Sequence, residues 1–218
     1  MLEERHLLAL DQLSNAVSSV ERQNAYQMLL SYETAGEIKE ADLLMLLGEA
    51  DPVVQSHARG ALARLGSEAA KPKILKLFAE TNDPILLEEI LETFTIYGTE
   101  DFIEAVIKRL ANPIKKKGFF AKRVEGPIME QLFDKDFVLR QILIPSIKYL
   151  GASRSPKAVK VLNSLIEHDD PMIRLNCLAA YDKIGVLPGP AKLAEMSKND
   201  PSALVRDEAQ ILIEKHSR

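Results

Sequence analysis

Four histidines, one cysteine and a short basic run are the residues of this chain whose types could do chemistry. His6, His57, His168 and His216 have no histidine four positions away, so no imidazole pair shares a helix face as a metal site would need. The single cysteine, Cys177, can form neither an internal disulfide nor a cysteine-based zinc site. Gly-rich phosphate loops, nucleophile elbows and paired-carboxylate signatures do not occur in the sequence. What remains is charge. Lys115, Lys116, Lys117, Lys122 and Arg123 flank Phe119 and Phe120 within residues 111–127, against Glu125 alone. Their local charge of +4 leaves −8 for the rest of a chain whose total is −4. Directly upstream, Leu77 to Ile107 holds Glu80, Asp83, Glu88, Glu89, Glu92, Glu100, Asp101 and Glu104 and no Lys or Arg.

Composition bounds what could position such a segment. At 218 residues, 46% apolar and 28% charged, the chain is too apolar to be disordered and too poor in Gly and Pro to be fibrous. No apolar run reaches the roughly 18 residues that span a bilayer. The start, Met1-Leu-Glu-Glu-Arg-His, lacks the basic region and apolar core of a secretory signal. These features lead us to expect a cytoplasmic protein with no transmembrane segment. A pI of about 5.7 argues against a general nucleic-acid binder.

Repetition organises the chain. Asp51-Pro52, Asp83-Pro84, Asp170-Pro171 and Asp200-Pro201 each precede an apolar stretch with helical spacing. Asp accepts hydrogen bonds from the free N–H groups of a helix start, and Pro suits the first helical position, so each pair reads as N-cap and N1. In three cases Gly66, Gly98 or Gly185 follows the Asp by 15 positions, and Asp136 to Gly151 keeps that spacing with Phe137 in place of Pro. Gly there suits a left-handed residue just past a helix end.

Aligned on the Gly, the four helices show columns. Five before it stand Ala61, Thr93, Ser146 and Ala180, all small, and four before it Leu62, Phe94, Ile147 and Tyr181. Immediately before it are Leu65, Tyr97, Leu150 and Ile184; twelve before it are Val54, Leu86, Leu139 and Ile173. The offsets trace one apolar stripe with a small residue where a second helix approaches. Intervening helices are expected near 69–80, 100–111, 155–167 and 190–198, a further pair at 20–33 and 38–49, and a capping helix at 3–14. Successive Asp residues stand 32, 53, 34 and 30 apart. Two helices per unit at a period near 30 predict an all-α fold: a right-handed alpha-alpha superhelical solenoid of about six helix pairs, each burying its stripe against its neighbours.

Asp-Pro, then Val/Ile-Arg, a small residue and a Leu-Gly ending resemble the HEAT-like repeats of the class found in phycobilisome lyases. Asp170-Pro-Met-Ile-Arg174 keeps the Arg and Phe137-Val-Leu-Arg140 keeps it without Pro; Val205-Arg206 offers it two positions late, while Gln55 and Leu87 replace it. The resemblance spans residues 20–216. It implies that the Asp-Pro helix is the second of each pair and lines the concave side, where Arg59, Glu88, Glu92, Lys148 and Asp182 are then candidate contacts. Two enzyme families built from such repeats are excluded by their chemistry. Deoxyhypusine hydroxylases need His-Glu pairs for iron, and no His-Glu dipeptide occurs here. Alkylpurine DNA glycosylases use a basic face and Trp, and this chain is acidic and has no Trp.

The 53-residue spacing places an insertion after Leu110, bracketed by Asn112-Pro113 and Gly126-Pro127. It divides the single array, 1–218, into parts 1–110 and 128–218. Two readings of the insertion stand: the basic loop folds back on its acidic neighbours with Phe119 and Phe120 filling a gap, or it docks an acidic partner, RNA or an anionic surface. Pro145 interrupts the helix that follows, which suggests a bend. His57 is expected at a partly exposed helix position, and Cys177 in the core eight before Gly185. The functional expectation is a non-catalytic scaffold or adaptor without a cofactor, holding another protein or peptide on its concave face or through the loop. The alternatives are a lyase-like accessory subunit acting on a tetrapyrrole (bilin) protein and a nucleic-acid-binding protein.

Overall fold

A computed structural model describes residues 4–34, 38–48, 51–111 and 135–216. The chain is all-α; among the described residues there is no strand. The helices are α1 (Glu4–Asn15), α2 (Ser19–Thr34), α3 (Glu40–Leu46), α4 (Pro52–Arg64), α5 (Lys71–Glu80), α6 (Pro84–Tyr97), α7 (Glu100–Ala111), α8 (Lys135–Ser153), α9 (Val159–Leu165), α10 (Pro171–Ile184), α11 (Pro190–Asn199) and α12 (Ala203–His216). A short 3-10 turn, Pro156–Ala158, leads into α9.

Three of the expected helix starts form as their residues dictate. The Asp51 carboxylate accepts from the N–H groups of Val53 (2.8 Å) and Val54 (3.4 Å), Asp83 from Ile85 (2.9 Å) and Leu86 (3.4 Å), and Asp170 from Met172 (2.8 Å). Each stands before a Pro whose missing N–H costs nothing there. The fourth differs. Asp200-Pro201 does not open α12, which begins at Ala203, and the Arg206 N–H reaches the Ser202 carbonyl at 3.1 Å. Arg206 is thus four residues after Ser202, as Arg174 is four after Asp170, and its apparent lateness vanishes. Gly66, Gly98 and Gly185 hold φ of 67°, 62° and 78°, the left-handed conformation the spacing predicts.

Gly151 corrects that expectation. It lies inside α8, which runs on to Ser153, and the left-handed residue is Arg154 at φ 54°. Gly151 serves closeness instead: a Cβ on it would stand 2.9 Å from Ala180 Cα and 3.1 Å from Ala180 Cβ on α10. Pro145 stands within continuous helix. It removes one backbone donor, and one residue later the Ser146 hydroxyl donates to the Ile142 carbonyl at 2.8 Å.

The helices form two compact units, Met1–Phe78 with Glu92–Tyr97, and Ala79–Leu91 with Gly98–Arg218. In the first, α1 packs on α2, and α3 on α4. The expected pairing of 20–33 with 38–49 is therefore wrong by one helix: residues 40–46 are the first helix of the α4 pair, and α1 is a repeat helix, not a lone cap. Leu29, Leu43, Leu62, Ile74, Phe78 and Phe94 are fully enclosed here, and the Phe78 and Phe94 rings stand 4.9 Å apart. In the second unit α7 packs on α8, α9 on α10 and α11 on α12, while α8, α10 and α12 adjoin in turn. Each enclosed Leu, Ile or Phe contributes about 1.5–3 kcal/mol, so no pair is stable without its neighbour.

The columns five, four and eight before Gly are buried in all four helices, the last holding Ala58, Ile90, Leu143 and Cys177. The column immediately before Gly is not. Leu65 is 50% exposed, Tyr97 and Ile184 are half-buried, and only Leu150 is core. Three of these helices stop at that residue and turn outward, whereas α8 continues and keeps Leu150 inside.

Candidate interaction surface

Repeats that stack leave one face of each second helix uncovered, and residue spacing decides what that face carries. In α10 the stripe Met172, Asn176, Ala179 and Lys183 returns every three to four residues. In α8 the matching stripe is Gln141, Pro145 and Lys148, with Ile144 beside it. In α12 it is Leu204, Asp207, Ile211 and Lys215. Met172 is 39% exposed, Leu204 63% and Ile211 55%, while Ile144, Pro145, Leu175 and Ala179 are half-buried. Exposed apolar side chains thus lie on the adjoining helices α10 and α12, with half-buried Ile144 and Pro145 on α8.

Charge gathers at the C-terminal ends of these helices. Lys215 Nζ reaches both oxygens of Asp182, at 2.7 and 2.9 Å, and His216 Nε2 stands 3.6 Å from the same carboxylate. The hydrogen bond from Lys215 holds the Asp182 carboxyl below its ordinary range. Lys148 and Lys183 are exposed, and neither is in an ion pair among the described residues. The Cδ of Lys183 lies 3.6 Å from where a Gly151 Cβ would be, and Lys148 is one turn before Gly151. Lys148 and Lys183 thus stand on two helices, α8 and α10, that pack on one another.

The opposite ends of the same helices are structural. Arg174 donates from Nε to Asp200 Oδ2 at 2.8 Å and from Nη2 to Oδ1 at 2.7 Å, with both residues buried. Its Nη1 donates to the carbonyls of His168 and Asp169 at 2.7 and 2.8 Å. One repeat earlier Arg140 donates from Nε to Asp170 Oδ2, a single bond from a more exposed side chain. Burial pushes the Asp200 carboxyl up, but the Arg174 hydrogen bond, the Ser202 N–H and the charges of Arg174 and Arg206 outweigh it, and the group is held below its ordinary range.

The candidates named from sequence fare differently. Glu88, Glu92 and Lys148 are exposed. Arg59 is 1% exposed, in the column seven before Gly that otherwise holds Leu91, Ile144 and Leu178, so it faces the core and is not a surface contact. Lys115, Lys116, Lys117, Phe119, Phe120, Lys122 and Arg123 lie outside the described residues. The acidic run upstream has a partner inside the fold. Lys157 Nζ stands 3.0 Å from Glu100 and 2.8 Å from Glu104.

His57 departs most from expectation. It is 4% exposed, set edge-on to Tyr26 with ring centroids 6.0 Å apart, and neither nitrogen has a hydrogen-bond partner among the described residues. Burial pushes its pKa down to about 4, against the pull of Glu33. Beside it, Arg64 donates from Nε and Nη2 to the two Glu33 oxygens at 2.6 Å each. Cys177 is enclosed, and burial raises its thiol to about 12. Among the described residues no group of three His, Cys, Asp or Glu side chains could hold a metal, and no helix is long and apolar enough to cross a membrane.

Sequence reasoning missed Met172, Lys183, Leu204 and Ile211, although the spacing of 172, 176, 179 and 183 carried the signal. It also noted Arg174 and Asp200 without pairing them.

No curated protein matches the chain. A family of proteins does: residues 127–214, the stretch that contains α8 to α11 and most of α12, match HEAT repeats, and a HEAT-like repeat family is thereby supported for that part of the chain.

Proposed function

We propose that this chain is a non-catalytic HEAT-repeat scaffold or adaptor that holds another protein against the exposed faces of α8, α10 and α12. The observation that carries the reading is the exposure of Met172, Leu204 and Ile211 on adjoining second helices. Exposed large apolar residues that recur in register across neighbouring elements mark interaction surfaces, whereas scattered ones do not. HEAT repeats suggest the same role.

The bilin-protein alternative rests on the character of the repeats alone, and Cys177, enclosed and with its thiol raised to about 12, is no attachment point for a chromophore. Nucleic-acid binding needs clustered cations, and of the lysines Lys148, Lys183 and Lys215 on this face the last is bound to Asp182.

Affinity capture with cross-linking tests the proposal. The wild-type chain should recover a partner protein cross-linked to α10 or α12, and a Met172→Asp, Ile211→Asp variant of unchanged melting temperature should not. Equal recovery by both proteins removes this face from the function.

A further inference from the structure

Arg206 makes the first two of three contacts that Arg174 completes. The Arg174 N–H reaches the Asp170 carbonyl four residues back at 3.3 Å, its Nη1 donates to the His168 carbonyl six residues back at 2.7 Å, and its Nε and Nη2 grip Asp200. The Arg206 N–H reaches the Ser202 carbonyl four residues back at 3.1 Å, and its Nη1 donates to the Asp200 carbonyl six residues back at 2.6 Å. The edge formed by its Nε and Nη2, which in Arg174 holds a carboxylate, meets no acceptor among the described residues. Asp207 and Glu208, its acidic neighbours on α12, form no ion pair with it among those residues.

We propose that Arg206 receives a carboxylate from another protein, supplied by an Asp at a helix start that sits against α12 as Asp200 sits against α10. A guanidinium already held at Nη1 gives up less side-chain freedom on pairing than a loose surface arginine. Its remaining edge presents two parallel donors, a fork that matches a carboxylate and not a lone carbonyl. Both carboxylates that take an arginine in this unit also accept a backbone N–H at a helix start, Asp170 from Met172 at 2.8 Å and Asp200 from Ser202 at 2.9 Å. Four residues along the same stripe, Leu178 of α10 is fully enclosed, whereas Gln210 of α12 is exposed and donates to Glu214 at 2.8 Å. That flank of α12 is therefore wettable, which suits a partner that leaves again rather than a permanently stacked repeat.

Two synthetic helical peptides of about 15 residues provide the test, identical except that one opens with Asp-Pro and the other with Asn-Pro, since both residues cap a helix. Fluorescence anisotropy with the full chain should show the Asp peptide bound at least about tenfold more tightly. Arg206→Gln should abolish the preference, and Arg206→Lys, which keeps the charge and loses the fork, should retain only a small part of it. Lys198→Gln, which removes an exposed cation from α11, should leave the preference unchanged. Melting temperatures of the variants show that each is folded.

Equal binding of the two peptides, binding of neither, or a preference that survives Arg206→Gln overturns the proposal. A preference lost equally in Lys198→Gln overturns it too, because overall charge and not the fork then selects the ligand. Tighter binding of a phosphoserine-Pro peptide than of the Asp peptide, abolished by Arg206→Gln, would assign the fork to phosphate and overturn the choice of a carboxylate. Every one of these outcomes is separate from partner capture by Met172 and Ile211.

Discussion

The guanidinium of Arg174 grips the Asp200 carboxylate through two parallel bonds of 2.8 and 2.7 Å, and its remaining nitrogen closes the turn at His168 and Asp169. One side chain thus fastens the start of its own repeat to the turn of the next. One repeat earlier the Arg140 Nε makes a single bond to Asp170 Oδ2. In the repeats of α4 and α6 Gln55 and Leu87 occupy the equivalent position, so this fastening belongs to the C-terminal repeats.

Breaking the pair from one side leaves a buried charge without compensation. Arg174→Leu should cost about 3–5 kcal/mol in urea unfolding, well above the cost of truncating an exposed lysine such as Lys160. Asp200 adds a pH signature. Its carboxyl is held below the ordinary value of 3.8, so the stability it contributes is fully present above that value and is lost as pH falls through the folded one. Arg174→Leu should flatten that acid limb, and an unchanged limb would contradict the assignment.

Three glycines should respond to alanine in three ways. Gly151→Ala drives a methyl into Ala180 backbone and should cost about 1–3 kcal/mol. Gly185→Ala meets no atom but must hold φ near 78°, at a cost of about 1 kcal/mol. Gly60→Ala, inside α4 and touching only the end of Arg64, should stabilise by about 0.5–1 kcal/mol. Thermal melts of the three variants give the order directly.

His57 makes the first unit acid-sensitive above the carboxylate range. Its folded pKa of about 4 lies below the ordinary value of 6.5, so the neutral ring contributes stability that is complete above 6.5 and is lost as pH falls toward 4. The loss is on the order of 3 kcal/mol by that linkage. His57→Leu should remove the dependence between those limits. Urea midpoints at both ends of the range, compared between the two proteins, would expose any error in this assignment.

Cys177 should be silent toward a thiol reagent in the native chain, because the thiolate that reacts is suppressed when burial raises the pKa to about 12. Stoichiometric labelling should appear only in denaturant. Fast labelling of the folded protein would place the side chain elsewhere.

Much of the architecture was written in local residue choices. Asp51-Pro52, Asp83-Pro84 and Asp170-Pro171 start helices because capping is a property of adjacent residues, and Gly66, Gly98 and Gly185 end them because only Gly takes positive φ cheaply. The columns four, five and eight before Gly were legible for the same reason, as periodicity needs no partner. Features that depend on a second helix were not. Gly151 has the spacing of a terminator, yet the close approach of Ala180 uses it as a contact. Arg59 and His57 are polar residues that helical position alone carries into the core. The surface was legible only in part: Lys148 could be named from its charge, but Lys183 stands on the helix next to it only when α8 and α10 pack.

The Asp170 carboxylate divides its labour by atom, with Oδ1 capping α10 and Oδ2 receiving Arg140. Secondary structure in one repeat and attachment to the previous repeat then share a single ionised group. A repeat that frays releases its neighbour's helix start at the same moment, so α8 to α12 should unravel as one cooperative block.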